Sequence, residues 1–386
     1  MKLFRSLLVA PAALGLFAPI AATASEVNFK AISNYSNEYF EIDEIDINSF
    51  KTLPQEKTLL SGGEGLVEST GHDGGFSETT TASFSLDTVI GAVDGGGTTD
   101  SEAMSFDYQM NIGLSTSFTG EDSLDVTIDI GGTDASVTKA SSIMGFQATS
   151  DALNVDGITY TFPLGGATVV VGDTTDISST FTGACAYSAF TDYMGNCGTG
   201  NSVGVGGKGV TASVGYAFDS GFSLAGGISS VEDDILTKQG SDLYAVEAAY
   251  TADNYGVAVA YAFADNGTAA ETTYWGVNAS YTPDETNLPS VSVGVETEET
   301  SGTEATGYFV GLTWPEVGPG SVSLGLGTNQ NFTDAQDEFL TYEASYSYPI
   351  NDGMTITPGV YIKESENAGG ASTDDTGFLV KTSFSF

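Results

Sequence analysis

The chain has 386 residues, 51 of them acidic and ten basic, for a formal charge of −41. A surface of that sign repels nucleic acid and attracts cations. With one histidine and two cysteines, a four-ligand zinc site and a Ser-His-Asp hydrolase both lack their residues. His72 stands in a glycine-rich stretch, no phosphate-cradling loop is present, and neither enzymatic chemistry nor a metal or cofactor is expected.

The hydrophobic fraction of 40% and the regularly recurring aromatics argue against disorder. The 49 glycines and the low content of helix formers point to an all-β chain.

The N-terminus reads as a secretory signal over residues 1–24. Lys2 and Arg5 form its charged end, Ser6 to Ile20 its apolar run, and Ala22-Thr23-Ala24 its small-residue cleavage site. Cleavage removes Arg5, the chain's only arginine, and leaves eight lysines against 51 acids. No later stretch offers 18 consecutive apolar residues, so a membrane-bound form has to cross as strands.

Residues 25–75 mix Tyr35, Phe40, Ile42, Ile45 and Ile47 with Glu38, Glu41, Asp43, Glu44 and Asp46. They read as a short periplasmic or plug-like extension with a glycine-rich linker from Ser61 to Gly75. So short a segment buries too little surface for a domain of its own.

From residue 76 to 386 every second side chain is apolar in sixteen short stretches. The alternation predicts strands at 78–91, 103–119, 122–131, 157–164, 167–173, 209–218, 221–231, 242–252, 255–264, 271–282, 289–298, 306–314, 320–328, 338–348, 353–364 and 375–386. In the second, Met104, Phe106, Tyr108, Met110, Ile112 and Leu114 share one face and Asp107, Gln109 and Asn111 the other. In the last, Phe378, Val380, Phe384 and Phe386 oppose Lys381, Ser383 and Ser385. Ribbons with one greasy and one wet side, repeated behind a secretory signal, predict a transmembrane antiparallel β-barrel with lipid outside and water inside.

The connections support that reading. Links after even-numbered strands are tight (Gly120-Glu121, Gly165-Gly166, Asp219-Ser220, Asp253-Asn254), whereas those after odd-numbered strands are longer. Short periplasmic turns and long outer loops are what such barrels display. Aromatics near strand ends, among them Phe118, Tyr160, Phe162, Tyr216, Phe218, Phe222, Tyr250, Tyr255, Tyr261, Phe263, Trp275, Tyr281, Trp314, Tyr346 and Tyr348, suit two interfacial girdles. Two places fit less well. Pro358 lies inside the fifteenth strand and requires a bulge or a rim position. The stretch 132–156 carries Ile143, Met144 and Phe146 and leaves room for one more hairpin, hence eighteen strands.

Cys185 and Cys197 lie in the long connection 174–208. An exported chain with two cysteines is expected to pair them. Closing so short a loop restricts the open chain by about 3 kcal/mol. The connection is therefore expected to fold inward as a stiffened constriction loop, with Asp173, Asp176, Asp192 and Lys208 as its charges. Parity assigns Asp87, Asp107, Asp125, Asp129, Glu247, Glu296, Glu343, Lys363 and Lys381 to the pore lining. Acids dominate, which implies a preference for cations. On strands nine to thirteen the inward row is small (Gly256, Ala258, Ala260, Ala262, Gly276, Gly294, Gly311, Gly325), so either open water borders this wall or the disulfide loop packs on it, together with part of the N-terminal extension.

The signal Met1-Lys2-Leu3-Phe4-Arg5-Ser6-Leu7-Leu8, the Gly/Phe/Tyr strands and the closing Phe386 resemble those of the cyanobacterial Som-type outer-membrane porins, relatives of the OprB carbohydrate-selective and iron-uptake porins. Residues 25–75 lack the full surface-layer-homology domain usual there. The resemblance implies an outer-membrane homotrimer passing small solutes and inorganic ions, and assembly through the terminal aromatic. Sugar selectivity would call for lumen arginines, which the chain lacks. The leading reading is a passive, cation-preferring diffusion channel; the alternatives are a carbohydrate- or iron-selective channel and a plugged structural barrel or adhesin.

Overall fold

A computed structural model describes residues 80–94, 103–132, 139–207, 209–267, 270–285, 287–328, 331–333, 337–365 and 374–386. The proposed signal, the extension 25–75 and His72 fall outside the described residues.

The strands are β1 (Thr80–Asp94), β2 (Ser105–Thr116), β3 (Ser123–Gly131), β4 (Asn154–Leu164), β5 (Ala167–Asp173), β6 (Val210–Ala217), β7 (Phe222–Ser230) and β8 (Asp242–Thr251). They continue with β9 (Tyr255–Asp265), β10 (Thr272–Tyr281), β11 (Ser290–Thr300), β12 (Thr303–Val317), β13 (Gly320–Thr328), β14 (Leu340–Asn351), β15 (Met354–Lys363) and β16 (Asp375–Ser385). Each pairs antiparallel with its neighbour in sequence, and β1 pairs with β16 to close a sixteen-stranded barrel. Closure leaves no unpaired sheet edge. The expected fold class holds, and no seventeenth strand occurs among the described residues. Instead of a hairpin, the stretch after β3 forms one short helix, α1 (Lys139–Met144).

The alternation sorts the wall inside out relative to a soluble protein. On β9, Val257 and Val259 are each 40% exposed, whereas Ala258 and Ala260 between and beside them are buried. The same parity runs through β8, where Tyr244 and Val246 point out and Ala245, Glu247 and Ala249 point in. Large apolar groups thus cover the exterior, and the interior row is small or polar.

Pro358 needs no bulge. Ser345 pairs with Gly359 and Tyr348 with Ile356, so the β14–β15 register is continuous across the proline, and only the pairings at the proline itself drop out. Its other neighbour keeps its register, with Pro358 opposite Val380. The bulge on β14 lies instead at Pro349–Asn351.

The tight turn before β3 is organised by Asp122. Its Oδ1 accepts from Ser117 Oγ and from the amides of Phe118 and Thr119, and its Oδ2 accepts from Tyr160 Oη at 2.6 Å. The Tyr160 hydroxyl and the Thr119 amide hold the carboxyl well below the usual range. The loop sorting is not strict: the link between β10 and β11, at the short-turn end, spans eight residues, 282–289. β11 and β12 meet at the long-loop end through a two-residue turn, Ser301-Gly302, both residues with φ above +50°.

Aromatic rings gather in two belts. At the short-turn end Phe222 lies tilted against Tyr250 (4.7 Å between centroids) and Tyr216 meets Phe218 edge-on (4.7 Å). Toward the other end Tyr261 meets Trp275 at 4.8 Å. Phe386 finishes the seam: it exchanges backbone hydrogen bonds with Phe84 and stacks on its ring at 5.7 Å.

Candidate functional site

The connection between β5 and β6 folds into the barrel and lies along its inner wall. It leaves β5 at the long-loop rim and forms a 3-10 turn at Ile177–Thr180. It then dips until Ala184 sits beside Gly256, the second residue of β9, and crosses β10 to β14 before turning back. Cys185 and Cys197 are bonded, with Cα atoms 5.8 Å apart. Asn196 and Cys197 both take left-handed backbone conformations (φ 51° and 52°), tolerable for asparagine but uncommon for cysteine.

Small inward residues make room for this path. A Cβ added to Gly276 would meet Ser202 Oγ, one on Gly294 the Cys197 carbonyl, one on Gly311 or Gly325 the Tyr187 ring, and one on Gly359 the Phe190 ring. Ile177 and Val205 join Ala245, Ala262 and Ala264 in one dry cluster, and Met194 and Cys197 join Phe309 in another. Of the two sequence alternatives for this wall, the disulfide loop covers it; any share of residues 25–75 lies outside the described residues.

Three buried carboxylates on the wall hold the loop. Glu247 accepts from the amides of Thr182 (2.6 Å) and Gly183 (3.1 Å). Glu296 accepts from the amide and side chain of Asn201 and from Ser202 Oγ (2.6 Å). Glu343 accepts from Tyr187 Oη, from the amides of Phe190 and Thr191, each at 2.8 Å, and from Thr191 Oγ1 at 2.6 Å. Hydrogen bonds to an ionised acceptor are about twice as strong as neutral ones. Burial holds the Tyr187 hydroxyl well above its usual range, and the facing Glu343 carboxylate pushes the same way, so Tyr187 stays a donor. Asn278 adds a neutral anchor, accepting the Ala184 amide at 2.8 Å and donating to Thr199 Oγ1.

This placement corrects part of the expected pore lining. Glu247, Glu296 and Glu343 point inward, but the loop covers them and they do not face open water. Asp107 and Asp129 are also buried, near the chain that follows β3: a Cβ on Gly132 would approach Asp107 Oδ1, and one on Gly131 the Gln147 carbonyl. Asp87, Asp125, Lys363 and Lys381 are half-exposed on the inner face. Asp125 accepts from Ser123 Oγ, Lys363 lies 4.7 Å from the Tyr193 ring centroid, and Lys381 sits opposite Val89.

The loop charges divide similarly. Asp173 does not belong to the loop: it ends β5 opposite the exposed Ile158, so alternation places it on the outer row. Asp176 joins the two ends of the loop by accepting the Gly207 amide at 3.0 Å. Asp192 is exposed and faces Gly145. Lys208 lies outside the described residues. Sequence reasoning missed Tyr187, Phe190, Thr191, Asn201 and Asn278 as anchors; the lone asparagine in a row of Gly, Ala and Ser was the available signal.

No family model matches the chain, and no curated protein does. Solved structures do. OprB of Pseudomonas putida, in its high-pH structure, superposes with a TM-score of 0.60 at 13% identity, covering 80% of this chain and 94% of that one. The loop L8 deletion mutant of OmpT, an outer-membrane protein of Vibrio cholerae, gives 0.58 at 10% identity over 80% and 99%. The anion-selective porin from Comamonas acidovorans gives 0.58 at 14% over the same shares. At such identities the likeness establishes the shared barrel fold. It does not identify the Som-type family.

Proposed function

We propose that this protein is an outer-membrane porin, a passive channel for small hydrophilic solutes and inorganic ions that prefers cations. The observation that carries the reading is the inverted alternation: exposed Val, Leu and aromatic side chains encircle a closed barrel whose inner row is small or polar. Such an exterior is stable only against lipid, and only a closed barrel lets strands cross lipid without unsatisfied amides. The belts of rings at its two ends suit the membrane–water interfaces. A loop laid flat against one wall narrows a lumen.

Cation preference is argued from the half-exposed inward groups and the overall charge. Asp87 and Asp125 stand half-exposed on the inner wall, as do Lys363 and Lys381, and the chain has an excess of 41 negative charges. Carboxylates in a confined lumen attract cations of any kind. The Comamonas acidovorans neighbour is an anion-selective porin; this chain, whose only arginine is Arg5, has no arginine in its barrel to build such a lining.

Export through residues 1–24 rests on the signal pattern of those residues. A homotrimer of the Som-type kind and delivery to the outer-membrane assembly machinery by Phe386 rest on the sequence resemblance. Planar bilayers test the channel. Purified protein in a KCl gradient should conduct, with a reversal potential favouring K⁺. A silent membrane would favour the plugged barrel, and blockade by maltooligosaccharide would favour a sugar channel.

A further inference from the structure

Large apolar side chains gather on one sector of the inner wall away from β8 to β14, and they point to a second loop. Val89 and Val93 on β1 and Leu379 on β16 point inward, where an open lumen would wet them, yet all three are buried. So is Tyr361 on β15. Their cover comes from two directions. Ala140 and Ile143 of α1 pack on them from the connection after β3, and Phe190 packs on them from the disulfide loop. The two loops therefore meet inside the barrel in one dry cluster, with Met144, Phe146 and Tyr193 around it.

The segment that carries α1 is tied down independently. Gln147 donates its amide to Gln109 Oε1, an inward side chain of β2, at 2.9 Å. Thr149 Oγ1 accepts the Gly131 amide at 2.9 Å, and the amides of Ser150 and Asp151 donate to the carbonyls of Gly132 and Gly131. Gly145 takes φ +65° beside Asp192, so close that a Cβ there would lie 3.2 Å from the Asp192 Cβ. Apolar residues from three strands, α1 and the disulfide loop, sealed together at one point of the wall, constitute a built contact and not a chance approach.

We infer that residues 139–153 form a second inward element, which clasps the disulfide loop through Ile143 and Phe190, and that this clasp sets the channel's exclusion size. The inference rests on the porin reading and deepens it. The clasp shuts to water the part of β1, β15 and β16 that carries Val89, Val93, Tyr361 and Leu379. Passage is then left to the half-exposed row around Asp87 and to the hydroxyl-bearing inner face of β3 and β4, where Ser123, Asp125, Thr159 and Thr161 stand. That lining suits small hydrated cations and small hydroxylated solutes, whose shells exchange with hydroxyl and carboxylate oxygens.

The test uses the full-length protein in planar bilayers, with polyethylene glycols of graded size as the probe. Ile143→Asp places a carboxylate in the dry cluster. It is expected to raise single-channel conductance by roughly half and to admit larger polymers than the wild type. Unchanged conductance and unchanged polymer cut-off, with the barrel still heat-modifiable, would overturn the inference. Should Ile143→Asp fail to fold, Ile143→Ala is expected to shift both readings in the same direction by less.

A second arm reads the contact without conduction. In the Gly145→Cys/Asp192→Cys double variant, oxidation should join the two loops and remove both new thiols from maleimide labelling. Persistent labelling of both thiols counts against the clasp. A wild-type protein that never conducts, with the cross-link formed, would instead sink the porin reading and leave the clasp standing.

Discussion

On β8, β11 and β14 the inward acids Glu247, Glu296 and Glu343 are buried beneath a loop whose amides and hydroxyls they accept. On β1 and β3 the inward acids Asp87 and Asp125 keep part of their surface open. The residues share charge, parity and orientation, and they do different work. Where a neighbouring backbone supplies enough donors, a carboxylate serves as an anchor. Where water supplies them, it remains a charge that a passing ion can sense. The neighbours decide too: Gly276, Gly294, Gly311 and Gly325 leave space for the loop, whereas Gln109 and Asn111 beside Asp87 fill theirs.

The largest effect is expected from removing an anchor. Glu343→Ala leaves the amides of Phe190 and Thr191 and the hydroxyls of Thr191 and Tyr187 without their acceptor, and should weaken loop docking by on the order of 3 kcal/mol. Rapid chymotrypsin cleavage after Tyr187, Phe190 or Tyr193 in the inserted protein would register it. A loop that stays protected would break the assignment of Glu343 as an anchor.

Filling the space the loop occupies should act next. Gly311→Val drives a side chain into the Tyr187 ring and is expected to cost about 2 kcal/mol by overpacking. The readout is a lower temperature for heat modification on gels. Equal stability would mean that the wall does not need to be small.

The smallest effect belongs to the short-turn end. The depressed carboxyl of Asp122 binds its proton less readily in the folded turn than in the open chain. Its contribution is therefore complete above the unfolded value, about pH 4, and fades only as the pH falls below it. Asp122→Asn should blunt the acid end of a stability–pH profile and leave the neutral part nearly unchanged; an altered neutral region with the acid end intact would contradict that.

Much of this was legible from parity alone. Val257-Ala258-Val259-Ala260 reads as a strand with a lipid side and a crowded side whatever surrounds it, and the sixteen strands follow from repeats of that kind. Parity gives the face but not the cover, which is why Glu296 looked like pore lining when Asn201 and Ser202 in fact sit on it. α1 was missed because six residues hold too few turns for a helical period to stand out. Val89 and Leu379 were readable as exceptions to the inward row, and their meaning appeared only with Ile143 and Phe190 placed over them.

The most direct measurement sets the two walls side by side in one bilayer. Reversal potentials in a KCl gradient would be compared for wild type, Asp125→Asn and Glu296→Gln. Asp125→Asn should move the potential toward Cl⁻, and Glu296→Gln should leave it near the wild-type value. A selectivity carried by Glu296 and indifferent to Asp125 would contradict the division of the lumen into a loop-bearing wall and an open one.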